Sequence, residues 1–369
     1  MSMSWIKKSL FLLIGWALPL TVILIAFELI FGTWLRNDPW AAAESLNIIR
    51  NRTILYDVKD LGYQDKAVVY TRDRFGLRGS CQDLTSAKIV TVGGSTTDER
   101  YISDGQTWQD ALQGKIRSKL HSDSFCIANA GVDGHSTFGH IQSFRYWFPL
   151  IDGLKPDYYL LYVGLNDAGF RFEQNRSYDS REDASMSGGF KESIRRNSAI
   201  YRLVKLGQSQ LETRKTAYAG HNKVVKSKEL YKSDRTTDGV EELIQENTKR
   251  FEDRLQIILH QIQDRGAKAI CVSQPNALAW DFGDGPRGIE RAFEYKGKKY
   301  NGLDFRKSIL SINRSMEALC KKSGGYYIDL ASEPFAIDDF YDFTHMTPDA
   351  EKKAAEYLFR NLVSLGLVQ

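Results

Sequence analysis

The stretch Lys88–Gly94, KIVTVGG, begins the region that decides the fold, because it is an apolar run that ends in glycine. Four similar runs follow it: Phe125–Gly131 (FCIANAG), Asp157–Gly164 (DYYLLYVG), Ala267–Pro275 (AKAICVSQP) and Gly325–Leu330 (GYYIDL). Helical patterns near Trp108–Leu120 and Phe138–Phe148 separate the first three runs. Strands that are apolar on both faces and alternate with helices form a parallel sheet covered on both sides. The sequence therefore predicts an α/β fold with a doubly wound, five-stranded parallel sheet.

Residues capable of catalysis follow these strands. In doubly wound folds, ligands bind beyond the carboxyl ends of the strands, so the residues at those ends are the first candidates for a site. The first run ends in Gly93-Gly94-Ser95-Thr96, the second in Asn129-Ala130-Gly131 and the third in Gly164-Leu165-Asn166-Asp167, and a loop after the last strand contains Asp342-Phe343-Thr344-His345. We expect these four loops to meet at one edge of the sheet.

A serine, a histidine and an aspartate among these residues suggest nucleophilic catalysis. A serine hydroxyl becomes a useful nucleophile when a base accepts its proton, and His345 can serve as that base for Ser95 if Asp342 fixes its tautomer. Each residue also has a purely structural interpretation: Ser95 and Gly131 as parts of tight turns, Asn166 as a helix N-cap, and His345 as a cap of the next helix. The sequence favours the catalytic interpretation because all four positions lie at strand ends.

The same four blocks, in the same order, resemble those of the SGNH (GDSL-like) hydrolase family, over a region from about Lys88 to the C-terminus. The first block departs from the family pattern, since Gly-Gly-Ser-Thr has no aspartate before the serine and no leucine after it. The resemblance implies a three-layer, flavodoxin-like SGNH fold and a serine esterase. It also implies an oxyanion hole formed by the backbone N–H groups of Ser95 and Gly131 and the side-chain amide of Asn166. Arg74–Gly79 (RFGLRG) resembles a segment of membrane-anchored members found in cell-envelope polysaccharide systems.

An apolar run, Ser9–Phe31, lies near the N-terminus and has Glu28 as its only charged residue. At about 1.5 Å per residue it is long enough to cross a bilayer core of about 30 Å. Lys7 and Lys8 precede it and Arg36 alone is basic just after it, so we expect a cytoplasmic N-terminus and a catalytic domain in the periplasm or at the cell surface. Its length favours an uncleaved signal anchor over a cleaved signal peptide.

These features divide the chain into three parts. Residues 1–35 are predicted to form a cytoplasmic tip and the transmembrane signal anchor, residues 36–87 a stalk and a preface to the domain, and residues 88–369 the hydrolase domain. A basic insertion at about residues 170–240 interrupts that domain. From Lys191 to Arg235 it contains twelve basic and four acidic residues, which is a net charge of +8. Because the whole chain has a net charge of +4, the residues outside this segment have a net charge of −4. The insertion is either a solvated segment, a lid, or a surface for anionic lipid or an acidic glycan.

Other motifs do not indicate a cofactor or a metal. Gly283–Gly288 matches GxGxxG, but it contains Pro286 and opens no helix, so it does not fit a dinucleotide site. His135 and His140 lack the spacing of metal ligands, and no HExxH motif is present. The sequence therefore predicts that the enzyme uses neither a cofactor nor a metal.

The four cysteines differ in their predicted surroundings. Cys81 and Cys126 precede the first two strands, which are adjacent in this topology, so a disulfide between them is compatible with an exported domain. Cys271 lies in a strand and Cys320 in a helical pattern, and we interpret both as small apolar core residues.

The favoured function is a membrane-anchored serine esterase that removes acyl groups, most simply acetyl, from a cell-envelope carbohydrate. One alternative is an O-acyltransferase that uses the same triad, with a sugar hydroxyl in place of water. Another is a non-catalytic glycan-binding or assembly subunit, against which the intact Ser95, Asp342 and His345 argue. Expected partners are the acylated carbohydrate, the membrane and envelope polysaccharide machinery; nucleic acid is not expected, because an exported domain seldom meets it.

Overall fold

The computed structural model describes residues 3–34, 39–40, 43, 46–62, 66–169, 193–194, 197–201, 203–204, 223–295 and 297–368. Its first elements are α1 (Met3–Phe31), β1 (Arg52–Asp57), β2 (Ala67–Arg72), β3 (Ile89–Gly93), α2 (Ser95–Asp98), α3 (Trp108–Leu120), β4 (Ile127–Asn129), α4 (Thr137–Gln142), β5 (Tyr158–Tyr162) and α5 (Leu165–Ala168). They are followed by α6 (Val240–Gln263), β6 (Lys268–Val272), β7 (Ala279–Asp281), β8 (Pro286–Gly288), β9 (Phe293–Tyr295), β10 (Lys298–Tyr300), α7 (Gly302–Lys322), β11 (Tyr326–Ile328) and α8 (Pro348–Ser364).

Five of these strands form one sheet in the order β11-β6-β5-β3-β4, and every neighbouring pair is parallel. They coincide with the five apolar runs of the sequence, so the predicted α/β fold and its five-stranded parallel sheet are confirmed. The chain leaves β3 toward one edge to form β4 and then returns to the other side of β3 to form β5. This reversal of strand order brings the carboxyl ends of β3 and β5 together at the topological switch point, where ligands bind in such folds.

Both faces of the sheet are covered, as the apolar runs require. On β5, Tyr159 and Leu161 belong to the core shared with α4, α6 and α7, whereas Leu160 and Tyr162 belong to the core shared with α3 and α8. Each large apolar side chain that is fully buried in this way contributes about 1.5–3 kcal/mol. Two separate cores therefore fix the position of β5, and with it the loop that follows.

Helix α8 begins with a proline and a capping threonine. Pro348 occupies its first turn, and the Thr347 hydroxyl accepts a hydrogen bond from the N–H of Ala350. Proline is well tolerated at this position because the first N–H of a helix has no partner within the helix. The cap fixes the helix start three residues after His345, so it also limits how far the histidine loop can move.

An antiparallel hairpin, β1–β2, precedes the parallel sheet, with Arg52 opposite Arg72. Val58, Leu61 and Val68 of this region form a small apolar cluster with Tyr341. Tyr341 immediately precedes Asp342, so the hairpin contacts the loop that contains two of the predicted catalytic residues. Residues ahead of the parallel sheet therefore support this loop directly.

Two predictions concern the remaining parts of the chain. Within the described ranges, no helix is both long and apolar enough to cross a membrane, and the predicted transmembrane helix is not confirmed. Most of the predicted basic insertion, including residues 170–192 and 205–222, lies outside the described residues.

Two disulfides join segments that are far apart in the sequence. Cys81 pairs with Cys126 across a Cα–Cα distance of 5.8 Å, in agreement with the pairing considered from the sequence. Cys271 of β6 pairs with Cys320 of α7 across 6.4 Å. The interpretation of Cys271 and Cys320 as separate apolar core residues is therefore wrong: the strand and the helix pack directly on each other, a proximity that could not be read from positions 49 residues apart.

Loss of the second disulfide should reduce stability substantially. Because closing a loop of this length lowers the entropy of the unfolded chain, we expect Cys271→Ala combined with Cys320→Ala to lower the free energy of unfolding by about 4 kcal/mol. Urea denaturation followed by circular dichroism measures this change. Thiol titration of the unreduced wild type in denaturant should detect no free cysteine, and two or more free thiols would contradict the pairing.

Candidate active site

Ser95 lies at the start of α2, directly after β3. Two glycines make this sharp strand-to-helix turn possible, because a Cβ on Gly93 would lie 2.0 Å from Thr97 Oγ1, and one on Gly94 would lie 2.6 Å from Asn166 Nδ2. Neither position has room for a side chain. The glycines thus allow the serine turn to pack tightly against the loop that follows β5.

A chain of hydrogen bonds connects the predicted nucleophile, base and orienting carboxylate. His345 Nε2 lies 2.8 Å from Ser95 Oγ, and His345 Nδ1 lies 2.7 Å from Asp342 Oδ2. The other carboxylate oxygen, Asp342 Oδ1, accepts the backbone N–H groups of Thr344 at 2.7 Å and His345 at 2.8 Å. These contacts allow His345 to take the proton of Ser95 while Asp342 stabilises the resulting imidazolium.

The histidine is held between its neighbours and is only 8% exposed. The ring of Tyr341 stacks on the imidazole, with 5.5 Å between centroids and 11° between planes. The backbone N–H of Tyr341 also donates to the carbonyl oxygen of His345 at 3.0 Å. Because Tyr341 packs against the N-terminal hairpin, the orientation of the imidazole depends on residues far ahead of it in the chain.

Two hydrogen-bond donors lie beside the serine. The N–H of Ser95 is at the start of α2 and donates to no other described residue, as is usual for the first turn of a helix. Asn166 Nδ2 lies against Gly94 and donates one hydrogen bond to the carbonyl oxygen of His135 at 2.8 Å. A primary amide has two N–H bonds, so the second is left for a ligand. The N–H of Ser95 and the amide of Asn166 therefore both lie at the turn that contains the predicted nucleophile.

Gly131 does not have the predicted role. Its N–H already donates to the side chain of Asn129 at 2.8 Å, so it is not free to stabilise an oxyanion. The glycine is required for packing instead, because a Cβ there would lie 2.3 Å from the backbone nitrogen of Asp98. The assignment of Gly131 to the oxyanion hole is therefore wrong, since an Asn side chain can bond the backbone two residues later and occupy the N–H.

Gly134, three residues further along the same loop, is a candidate hydrogen-bond donor that the sequence pattern alone did not single out. Its N–H donates to no described residue, and its φ of +79° is in the left-handed region that favours glycine. It directly precedes His135, whose carbonyl oxygen would lie 3.0 Å from a Cβ on Gly94. The Asn-x-Gly pattern at Asn129, which marks Gly131 as part of a turn, was the signal that could have directed attention to Gly134.

Two buried arginines of the N-terminal region bind the catalytic loops. Arg72 is 3% exposed; it pairs with the Asp98 carboxylate through Nη2, which also donates to the carbonyl oxygen of Gly131 at 2.7 Å. Arg78 donates to the carbonyl oxygens of Asp98 at 2.8 Å and Glu99 at 2.6 Å. These bonds attach the end of α2 and the Gly131 loop to one another through the hairpin region.

The buried carboxyl group of Asp98 is ionised in this network. Burial would raise the pKa of Asp98, but the guanidinium groups of Arg72 and Arg100 and the hydrogen bond from the Tyr70 hydroxyl hold it below its ordinary value. A buried charge is stable only when it is paired and hydrogen-bonded in this way. Asp98 is therefore the anionic centre that joins the hairpin to the serine helix.

Asp167 connects the third loop to the second. Its carboxylate accepts the backbone N–H of Thr137 at 3.2 Å, at the start of α4. Burial raises the pKa of Asp167, while Arg254 and the bonds from Thr137 oppose that rise. The side chain thus fixes the Asn166 turn relative to the loop that contains Gly134 and His135.

The described residues contain no cluster of three or more histidine, cysteine, aspartate or glutamate side chains that could hold a metal ion. His135 and His140 are both buried, with ring centroids 5.8 Å apart. His135 Nε2 lies 2.9 Å from the carbonyl oxygen of Leu46. Burial lowers the pKa of His135 to about 4, so this ring is neutral at pH 7 and serves the packing of the N-terminal segment.

Comparison with known proteins identifies a family model, described as GDSL-like Lipase/Acylhydrolase, that matches residues 89–358. The sequence matches no curated protein. Similar solved structures include an acetyl xylan esterase (12% identity, covering 74% of this chain and 99% of that chain, TM-score 0.41) and an alpha/beta hydrolase from the metagenome of Lake Arreo, Spain (12%, 78% and 100%, TM-score 0.41). Another is an acetyl xylan esterase variant from Geobacillus stearothermophilus (11%, 78% and 96%, TM-score 0.41). The family match includes all five strands of the parallel sheet and the loops that contain Ser95, Asn166 and His345.

Proposed function

The chain belongs to the GDSL-like lipase/acylhydrolase family and is a serine ester hydrolase, and we propose that it removes acetyl or similarly short acyl groups from a cell-envelope carbohydrate. The observation that carries the catalytic part of this proposal is the chain of contacts from Ser95 Oγ through His345 to Asp342. The carbohydrate part is supported by the resemblance of Arg74–Gly79 to a segment of members that act in envelope polysaccharide systems.

The proposed reaction begins when His345 Nε2 accepts the proton of Ser95 Oγ, which attacks the ester carbonyl carbon. The carbonyl oxygen becomes an oxyanion, and the N–H groups of Ser95 and Gly134 and the amide of Asn166 donate hydrogen bonds to it. Collapse of this intermediate breaks the ester bond, and His345 gives its proton to the leaving sugar oxygen. Water then attacks the acyl-serine with the same base and releases the free acid and Ser95.

We further propose that the catalytic domain is exported and anchored by the N-terminal apolar segment. The two disulfides support export, because disulfides persist mainly in oxidising compartments. The apolar run Ser9–Phe31 and the lysines that precede it support a cytoplasmic N-terminus. Protease treatment of intact spheroplasts tests this topology: digestion of the catalytic domain from outside is expected, and its protection until the membrane is broken would contradict it.

Removal of the Asn166 amide should impair the chemical step. Asn166→Ala deletes one oxyanion donor, so kcat for 4-nitrophenyl acetate should fall by about 100-fold or more while KM changes little. Steady-state kinetics measure both values. A matched control is Asn361→Ala, which removes an amide on α8 whose Nδ2 bonds only within its own helix, to Tyr357. If Asn166→Ala retains kcat within a few fold, the amide does not stabilise the oxyanion.

A further inference from the structure

A second feature at the carboxyl edge of the sheet is a cavity of about 410 Å³. It lies beyond β6 and β11, between the segment 274–281, helix α7 and the segment 331–340. Its volume is in the range of small-molecule sites, which typically measure about 300–1,000 Å³. None of the residues assigned above to catalysis lines it, so it is distinct from the Ser95 centre.

The cavity is adjacent to that centre. Gln274, which lines it, donates through Nε2 to Thr96 Oγ1 at 2.6 Å and accepts the N–H of Leu165 at 2.9 Å. Thr96 and Leu165 are the immediate neighbours of Ser95 and Asn166. Since β6 is two strands away from β3, the end of β6 lies about 10 Å from the end of β3. A disaccharide that carries the ester on one of its rings is long enough to span this distance.

The lining combines aromatic and hydrogen-bonding surfaces. Trp280 presents a half-buried indole, and Phe335 adds apolar surface. Asn313 is only 7% exposed, and its Oδ1 has no hydrogen-bond partner among the described residues. A buried acceptor without a partner is costly, and a ligand hydroxyl group would satisfy it. Arg306 and Asp281 add a charged donor and a charged acceptor at the mouth.

This chemistry selects a particular kind of ligand. A long acyl chain would leave Asn313, Arg306 and Asp281 without partners, at an unfavourable free energy of desolvation. A sugar ring has C–H faces that can stack on Trp280 and hydroxyl groups that both donate and accept. It therefore matches both kinds of surface in the cavity.

We propose that this cavity is a glycan subsite that binds the sugar ring next to the acylated one and so directs the ester toward Ser95. The proposal rests on the proposed carbohydrate esterase function and adds to it the requirement for at least two linked sugars. Trp280 supplies the stacking surface, and Asn313 accepts a hydroxyl group of the bound ring.

The test compares a substrate that reaches the subsite with one that does not. Partially O-acetylated cellotriose has neighbouring rings, whereas 4-nitrophenyl acetate has none. For Trp280→Ala and, separately, Asn313→Leu, kcat/KM for the trisaccharide ester should fall by about tenfold or more, while that for 4-nitrophenyl acetate stays within about twofold. Equal losses on both esters, or no loss on either, would overturn the subsite. Trp34→Ala is the matched control, because Trp34 is far in the sequence from every residue that lines the cavity. This substitution should change neither rate.

A binding measurement separates failure of the subsite from failure of the enzyme function. Calorimetry of cellotriose with the Ser95→Ala protein requires no turnover, and we expect binding that is weakened about tenfold or more by adding Trp280→Ala. If the wild type hydrolyses neither ester but this binding is observed, the esterase proposal fails and the glycan subsite stands. If both esters are hydrolysed but cellotriose does not bind, the subsite fails and the esterase proposal stands.

Discussion

Replacing Ser95 with alanine should lower kcat/KM for 4-nitrophenyl acetate by about 10⁴-fold or more. The hydroxyl lies 2.8 Å from His345 Nε2, and the other ring nitrogen, His345 Nδ1, lies 2.7 Å from Asp342 Oδ2. Without the hydroxyl group no acyl-enzyme can form. Only the remaining hydrogen-bond donors and general substrate binding would be left to accelerate attack by water.

Covalent labelling provides a second measurement of the same assignment. A fluorophosphonate probe should modify wild-type Ser95, as located by peptide mass spectrometry, and should leave the Ser95→Ala protein unlabelled. Ser118→Ala is a suitable control because that exposed hydroxyl on α3 bonds only the preceding helical turn, at Gly114; its labelling should equal that of the wild type. Undiminished labelling of the Ser95→Ala protein would mean that another residue is the nucleophile.

Replacing Arg72 with methionine should destabilise the fold by about 3–5 kcal/mol, because it leaves the Asp98 carboxylate buried without its main counter-charge. The change also removes the bond to the carbonyl oxygen of Gly131, so activity should fall in the protein that remains folded. Urea denaturation measures the free energy of unfolding. Arg52→Met is the matched control, since Arg52 is the exposed cross-strand partner of Arg72 and should change stability little.

The pH dependence of stability gives an independent test of that ion pair. The pKa of Asp98 is lowered in the folded protein, so its contribution to stability is present above the ordinary pKa of about 4 and is lost as the pH falls through the lowered value. In Arg72→Met the pKa of Asp98 should rise, and the difference in stability between wild type and variant should shrink on acidification. A difference that stays constant from pH 7 to pH 3 would contradict the pairing.

The parallel sheet was predictable because its strands are apolar on both faces. This pattern is typical of a parallel sheet that is covered on both sides. Ser95, Asn166, Asp342 and His345 could be placed together because strand ends share one edge of such a sheet. The contribution of the N-terminal hairpin was not predictable in the same way. The pairing of Arg72 with Asp98 depends on how the hairpin packs against α2, and an isolated arginine in a strand gives no indication of that contact.

The error at Gly131 and the omission of Gly134 have one physical cause. A glycine in a loop can serve close packing, a left-handed turn or an exposed N–H, and the glycine by itself does not distinguish these uses; only its neighbour Asn129 gave a signal. The hydrogen bond from Gly131 to Asn129 decides the matter, because a donor that is already paired cannot also serve an oxyanion. The pairing of Cys271 with Cys320 was also not predictable from the sequence, because it depends on how β6 packs against α7.

Acetate release from a chemically O-acetylated polysaccharide tests the central claim most directly. The purified full-length protein and its Ser95→Ala variant would be incubated with the polymer, and both free acetate and polymer-bound ester would be followed by proton NMR. We predict that the wild type releases free acetate in step with the loss of polymer ester, whereas the variant releases none. Transfer of acetyl groups to an added sugar acceptor without free acetate would instead indicate an acyltransferase. Retention of all polymer ester by the wild type would contradict the proposed function.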